Sequence, residues 1–117
     1  MEKQYKLPKK FAEKWIKALK SGEYKQTTGT LIKVNKVTNE KYFCCLGVAA
    51  SICGVKEKTL SKYYLESLIK KGNITITKNI GDLKTEEKFN AILVSMNDAG
   101  ESFETIAGWI EQNVEFV

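Results

Sequence analysis

Thr30-Leu31-Ile32-Lys33-Val34-Asn35-Lys36-Val37, a break at Thr38-Asn39, a return along Lys41-Tyr42-Phe43, then Cys44-Cys45-Leu46-Gly47-Val48-Ala49-Ala50-Ser51-Ile52-Cys53-Gly54: this run changes character once, and the change decides the fold class. Over Thr30–Val37 apolar residues are interleaved with polar ones, as in a half-buried strand, and Lys41–Phe43 returns as its hairpin partner. From Cys44 to Cys53 the chain is almost wholly apolar. Ala49, Ala50 and the closing Gly54 favour a buried helix there over a third strand. Strand, turn, strand and buried helix in direct succession make the chain α+β.

The flanks agree. Upstream, Phe11, Trp15, Ala18 and Leu19 recur at helical spacing, with Ala12 and Ile16 beside them and lysines elsewhere. Pro8 suits the first turn of that helix and Gly22 its C-terminal cap. Ser21–Gly29 follows as a polar loop. Downstream, Leu60, Tyr64 and Leu68 predict a helix over Thr59–Lys71, and Asn73–Thr77 alternates as a strand. Phe89, Ile92, Leu93 and Met96 share one helical face, with Thr85 as the expected cap and Asn97-Asp98-Ala99-Gly100 as the break. Ser102 is placed to cap a last helix whose buried stripe is Phe103, Ile106, Ile110 and Val114. We expect one compact domain over 1–117, several helices packed on a small antiparallel sheet.

Composition narrows the chemistry. The chain has 117 residues, no histidine and no arginine; its nineteen basic residues are all lysine. An AT-rich coding sequence accounts for such a bias, but its consequence holds whatever the cause. There is no Cys-His or Ser-His-Asp catalysis, no imidazole ligand, and no planar fork for bidentate phosphate or guanine recognition. Three cysteines, Cys44, Cys45 and Cys53, fall short of a tetrahedral zinc site, and an odd count argues against a disulfide framework. No apolar run reaches the roughly 18 residues that span a bilayer, so a cytoplasmic protein without cofactor is expected. The net charge of +5 is polarised: seven lysines crowd the first twenty residues, and only acids follow Lys88. That polarity can steer an anionic ligand, or it can help the two ends, or two subunits, pack together.

Candidate groups are few. Tyr24-Lys25-Gln26-Thr27-Thr28-Gly29 offers an aromatic face, a cation, an amide and two hydroxyls, a set able to stack a base and hold its edge or a phosphate. A solvated loop anchored by its tyrosine is the plainer reading. Cys44 and Cys45 stand where a strand meets a helix, a place that activates thiols. Their apolar flanks fit core packing better, with ligand lining second. Asn97 and Asp98 fit backbone capping, or a polar pair facing a ligand. Trp15 fits the core better than a ligand platform. Phe89–Asn113 has the outline of a helix-turn-helix, but its second helix carries Glu104 and Glu111 and no base, so phosphates would repel it.

Three segments carry a resemblance. Trp15-Ile16-x-Ala18-Leu19-Lys20-Ser21-Gly22-x-Tyr24-x-Gln26, Cys44-Cys45-Leu46-Gly47-Val48, and Met96-Asn97-Asp98-x-Gly100-x-Ser102-Phe103-x-x-Ile106-Ala107-x-Trp109-Ile110-Glu111 resemble a set of small bacteriophage and prophage proteins. Those relatives have Gly after Gln26, where this chain has Thr27, and often Asp at the position of Gly108. The resemblance implies a phage protein and brings no established active site. With the small size, the missing catalytic groups, the lysines and the polar aromatic loop, it leads to one expectation: a non-enzymatic counter-defence protein of the infected cell. It would sequester a nucleotide-derived immune signal through Trp15, Lys20, Tyr24, Gln26, Thr28, Cys44, Asn97 and Asp98, as a homo-oligomer, with no membrane partner and nucleic acid disfavoured. The alternatives are a protein that inhibits a host protein, a nucleic-acid accessory protein, and an enzyme restricted to Asp, Glu, Tyr, Lys or Cys.

Overall fold

A computed structural model describes residues 5–7, 9–52, 54 and 83–116. Among the described residues nine elements follow in order: β1 (Tyr5–Leu7), α1 (Lys9–Lys20), β2 (Lys25–Gln26), β3 (Ile32–Val34), β4 (Lys41–Phe43), α2 (Cys45–Ile52), α3 (Leu83–Asp98), α4 (Phe103–Asn113) and β5 (Val114–Phe116). Pro8, expected in the first turn of α1, the helix over 59–71, the strand over 73–77 and Cys53 lie outside the described residues. The α+β class holds.

Helix α1 forms where the 3.6-residue period predicts, because Ala12, Trp15, Ile16 and Leu19 fall on one buried face. Lys17 and Lys20 in its last turn oppose the negative end of the helix dipole. Gly22, at φ 77°, turns the chain out of the helix in the left-handed conformation that glycine tolerates. At the other end of the chain, α3 closes in a Schellman motif: Glu101 N–H donates to Met96 O at 3.0 Å and Gly100 N–H to Asn97 O at 3.1 Å. Ser102 then caps α4 as expected, its hydroxyl accepting from Thr105 N–H at 3.1 Å.

The strands depart from expectation in three respects. The first hairpin strand stops at Val34 instead of reaching Val37. Asn35 ends it, its side-chain oxygen accepting from Val37 N–H and Thr38 N–H at 2.9 and 3.3 Å, an Asx turn that throws Val37 into solvent. Antiparallel pairing is confined to β3 and β4, where Ile32 faces Phe43 and Val34 faces Lys41. The polar loop contributes β2, which runs parallel to β4, so the sheet order is β2-β4-β3. A second, two-stranded sheet pairs β1 with β5 in parallel, Tyr5 against Val114 and Leu7 against Phe116. Val114 thus ends the helical stripe by becoming the first residue of a strand, still buried. Thr85 lies within α3, which begins two residues earlier; helix ends read from sequence commonly shift by that much.

The core joins α1, α2, α3 and α4. Trp15, Leu7, Leu46, Phe89, Leu93, Ile106 and Ile110 are fully buried in it, each stabilising by roughly 1.5–3 kcal/mol. Tyr5, Phe89 and Trp109 form a ring cluster with centroids 5.1–6.1 Å apart, where offset aromatic pairs gain over plain burial.

Candidate functional site

The polar centre of the molecule is Asn97, at the C-terminal end of α3 and only 1% exposed. Its Oδ1 accepts from Cys45 N–H at 3.1 Å, an orphan donor of the α2 N-terminus, and from Gln26 Nε2 at 3.0 Å. Its Nδ2 donates to Thr27 O at 2.7 Å. Gln26 spends a second hydrogen on Glu101 O at 2.6 Å. Asp98 Oδ1 accepts from Gly29 N–H at 3.0 Å. Three separate parts of the chain meet here: the 26–29 loop, the start of α2 and the end of α3. An amide suits this place at neutral pH, because it combines an acceptor and donors in one uncharged planar group.

The thiols beside this centre are structural. Trp15 Nε1 donates to Cys45 O at 3.0 Å, and Cys45 Sγ donates to Leu93 O at 3.6 Å. Burial pushes both thiols up from their ordinary pKa, Cys45 furthest; backbone donors from Gly47 and Leu46 only partly oppose this at Cys44. Such thiols stay protonated at neutral pH and are poor nucleophiles. Among the described residues no three of Cys, Asp and Glu stand close enough to hold a metal ion.

The eight residues expected to bind ligand therefore divide. Gln26, Asn97 and Asp98 come together, but Gln26 Nε2, both polar atoms of the Asn97 side chain and Asp98 Oδ1 are engaged with one another or with the backbone. Trp15 and Cys44 are buried in the core, 0% and 7% exposed. Tyr24 is half-buried, its ring edge-on to Phe43 with centroids 5.2 Å apart. Lys20 pairs with Glu111 of α4, away from the loop. Thr28 is exposed on the fixed loop, and Lys20 and Asp98 are exposed as well.

A second polar group was not expected. On the outer side of the three-stranded sheet, Lys25 Nζ meets Glu40 Oε1 at 2.8 Å, Tyr42 Oη donates to Glu40 Oε2 at 2.6 Å, and Lys25 lies 5.8 Å from the Tyr42 ring centre. The Lys25 hydrogen bond, then that of Tyr42, lowers the Glu40 pKa; the same bonds raise those of Lys25 and Tyr42. The signal was present in the period of two: Lys33 and Tyr42 both fall on the side opposite Ile32 and Phe43. Without the parallel β2 pairing, nothing placed Lys25 with them.

Residues 7–75 match the sequence model of a family described as a domain of unknown function, DUF8296. No curated protein and no solved structure matches the chain. The matched span takes in α1, the loop with Gln26, the hairpin and the Cys-Cys helix, more than half of the sequence, and on that evidence the chain belongs to the DUF8296 family.

Proposed function

We propose that this protein is a phage counter-defence factor that captures a nucleotide-derived immune signal, of cyclic oligonucleotide or cyclic ADP-ribose type, without cleaving it. The observation that carries the reading is the pinned loop. Gln26, Thr27 and Gly29 are each tied to Asn97 or Asp98, while Thr28 among them is exposed, as is Lys25 just before them, paired with Glu40. A loop ordered before it binds loses little entropy on binding, which favours capture by the groups it presents. The buried, protonated thiols favour capture over chemistry. A homo-oligomer in the cytoplasm of the infected cell would let two copies cover a small polyanion. No described helix is long and apolar enough to cross a membrane.

The test is depletion followed by recovery. Purified protein is mixed with cyclic di-AMP, cyclic tri-AMP and cyclic ADP-ribose, free ligand is quantified, and the mixture is heat-denatured and quantified again. Loss followed by intact return is the expected result. Return of an altered molecule makes the protein an enzyme. No depletion of any compound sinks the reading and turns attention to a host protein.

A further inference from the structure

The hairpin region between Tyr24 and Phe43 carries four lysines, Lys25, Lys33, Lys36 and Lys41, against a single acid, Glu40. Register sorts them. In the three-stranded sheet Lys25 of β2 and Lys33 of β3 both face Tyr42 of the central strand β4. Directly paired residues share a side of a sheet, so the three side chains stand in a row across it. The opposite side is the core side, with Gln26, Phe43 and Ile32 in the corresponding row. Neighbouring strands lie about 4.8 Å apart, which sets the two lysine backbones roughly 10 Å apart with an aromatic ring between them. Lys33 is exposed and makes no ion pair among the described residues.

The fold does not require a cation at Lys33: a lone cation on the outer side of a sheet contributes little to stability. Glu40 pairs with Lys25 instead. It also accepts from the phenol, which fixes the ring through its edge.

We propose that the outer side of this sheet is a nucleotide-binding surface, in which Tyr42 stacks a base and Lys33 holds the attached phosphate. The ring supplies a π-face, which every base matches. With no arginine in the chain, lysine point charges are the means of holding phosphate. Lys25 is partly neutralised by Glu40, so the phosphate belongs on the Lys33 side, where Lys36 stands in the adjoining turn. This places the base on Tyr42 instead of Tyr24, whose ring is turned against Phe43. The proposal rests on the nucleotide-capture reading and names the surface that would perform it. The same base-plus-phosphate chemistry comes from a free cyclic nucleotide or from a single-stranded nucleic acid.

Equilibrium dialysis distinguishes the sources. Cyclic di-AMP, cyclic ADP-ribose and a single-stranded octa-deoxyadenylate are each tested against the unaltered protein, Tyr42→Val, Tyr42→Phe and Lys33→Glu, all checked by circular dichroism. Tyr42→Val should weaken binding about tenfold or more, and Tyr42→Phe should recover most of it, since the ring carries the stacking. Lys33→Glu should weaken binding by a similar factor at low salt and less at high salt. If Tyr42→Val fails to fold, Lys33→Glu and the salt dependence decide the matter. Cyclic ligands bound equally well by every variant overturn this surface while the capture reading stands. Binding of the octa-deoxyadenylate alone, lost in Tyr42→Val, supports the surface and overturns capture of a cyclic signal. No binding of any probe overturns both.

Discussion

Asn97 shows how one side chain can hold three segments. Asn97→Asp keeps the shape and the Oδ1 acceptor, but it replaces the donor to Thr27 O with an anion in a buried place. At pH 7 we expect a loss of about 3 kcal/mol or more, read by urea denaturation. The sign of its pH dependence is fixed. A carboxyl whose folded pKa is raised by burial contributes stability at low pH and loses it as pH rises through that value. The variant should therefore regain stability toward about pH 5, where a protonated carboxyl can again donate to Thr27 O. A flat pH response would mean that the loop does not need the donor. Tyr42 offers the complementary test at the alkaline end. Its phenol is raised above 10.0 mainly by the Glu40 hydrogen bond, so that contribution is present below 10.0 and lost as pH climbs through the folded value. Glu40 works in reverse, its contribution present above 4.5 and lost as pH falls through its lowered value. In Glu40→Gln the Tyr42 phenolate absorbance, isolated by difference against Tyr42→Phe, should appear at lower pH than in the unaltered protein.

At the scale of elements, α2 lies against the hairpin at a distance that one hydrogen atom sets. A Cβ on Gly47 would come within 2.0 Å of Leu31 O, a backbone atom that cannot swing aside. Cys44 N–H donates to that same oxygen at 3.2 Å. Gly47→Ala should cost about 3 kcal/mol or abolish folding, measured by thermal melting, although alanine is the better helix former by roughly 1 kcal/mol. Whatever local pattern dictates was legible: the burial of Trp15 and Leu19, the helix after Cys44, the caps at Gly22 and Ser102, the break at Asn97–Gly100. Long-range pairing was not. Lys25-Gln26 and Tyr5–Leu7 are too short and too polar to announce themselves as strands, and each is a strand only because a distant segment supplies the hydrogen bonds. The same reason hid the site. Gln26, Asn97 and Asp98 stand out in the sequence by type and place, but partners 71 residues apart leave no local mark of what they hold.

For the molecule as a whole, the polarised charge finds its first use within the chain. The lysine-rich start and the acidic end lie side by side, Lys6 in register with Glu115 and Lys20 paired with Glu111. The Lys20–Glu111 pair is exposed and worth little; the closure depends on Tyr5, Leu7 and Val114, which are buried. Removing residues 1–7 should abolish a single sharp melting transition, seen by circular dichroism, whereas Lys20→Glu should shift it only slightly. A cooperative melt in the shortened chain would show that the terminal sheet is dispensable.

The direction of that terminal sheet has a mechanical consequence. Since β1 and β5 run parallel, force applied at residues 5 and 116 pulls the two strands past each other lengthwise. Every hydrogen bond between them is loaded at once in shear, and none is peeled open singly. Short as it is, the pair acts as a clasp across the two ends of the described chain. A protease machine that grips one end and pulls against an anchored other end would meet its greatest resistance at the first step, before any helix is disturbed.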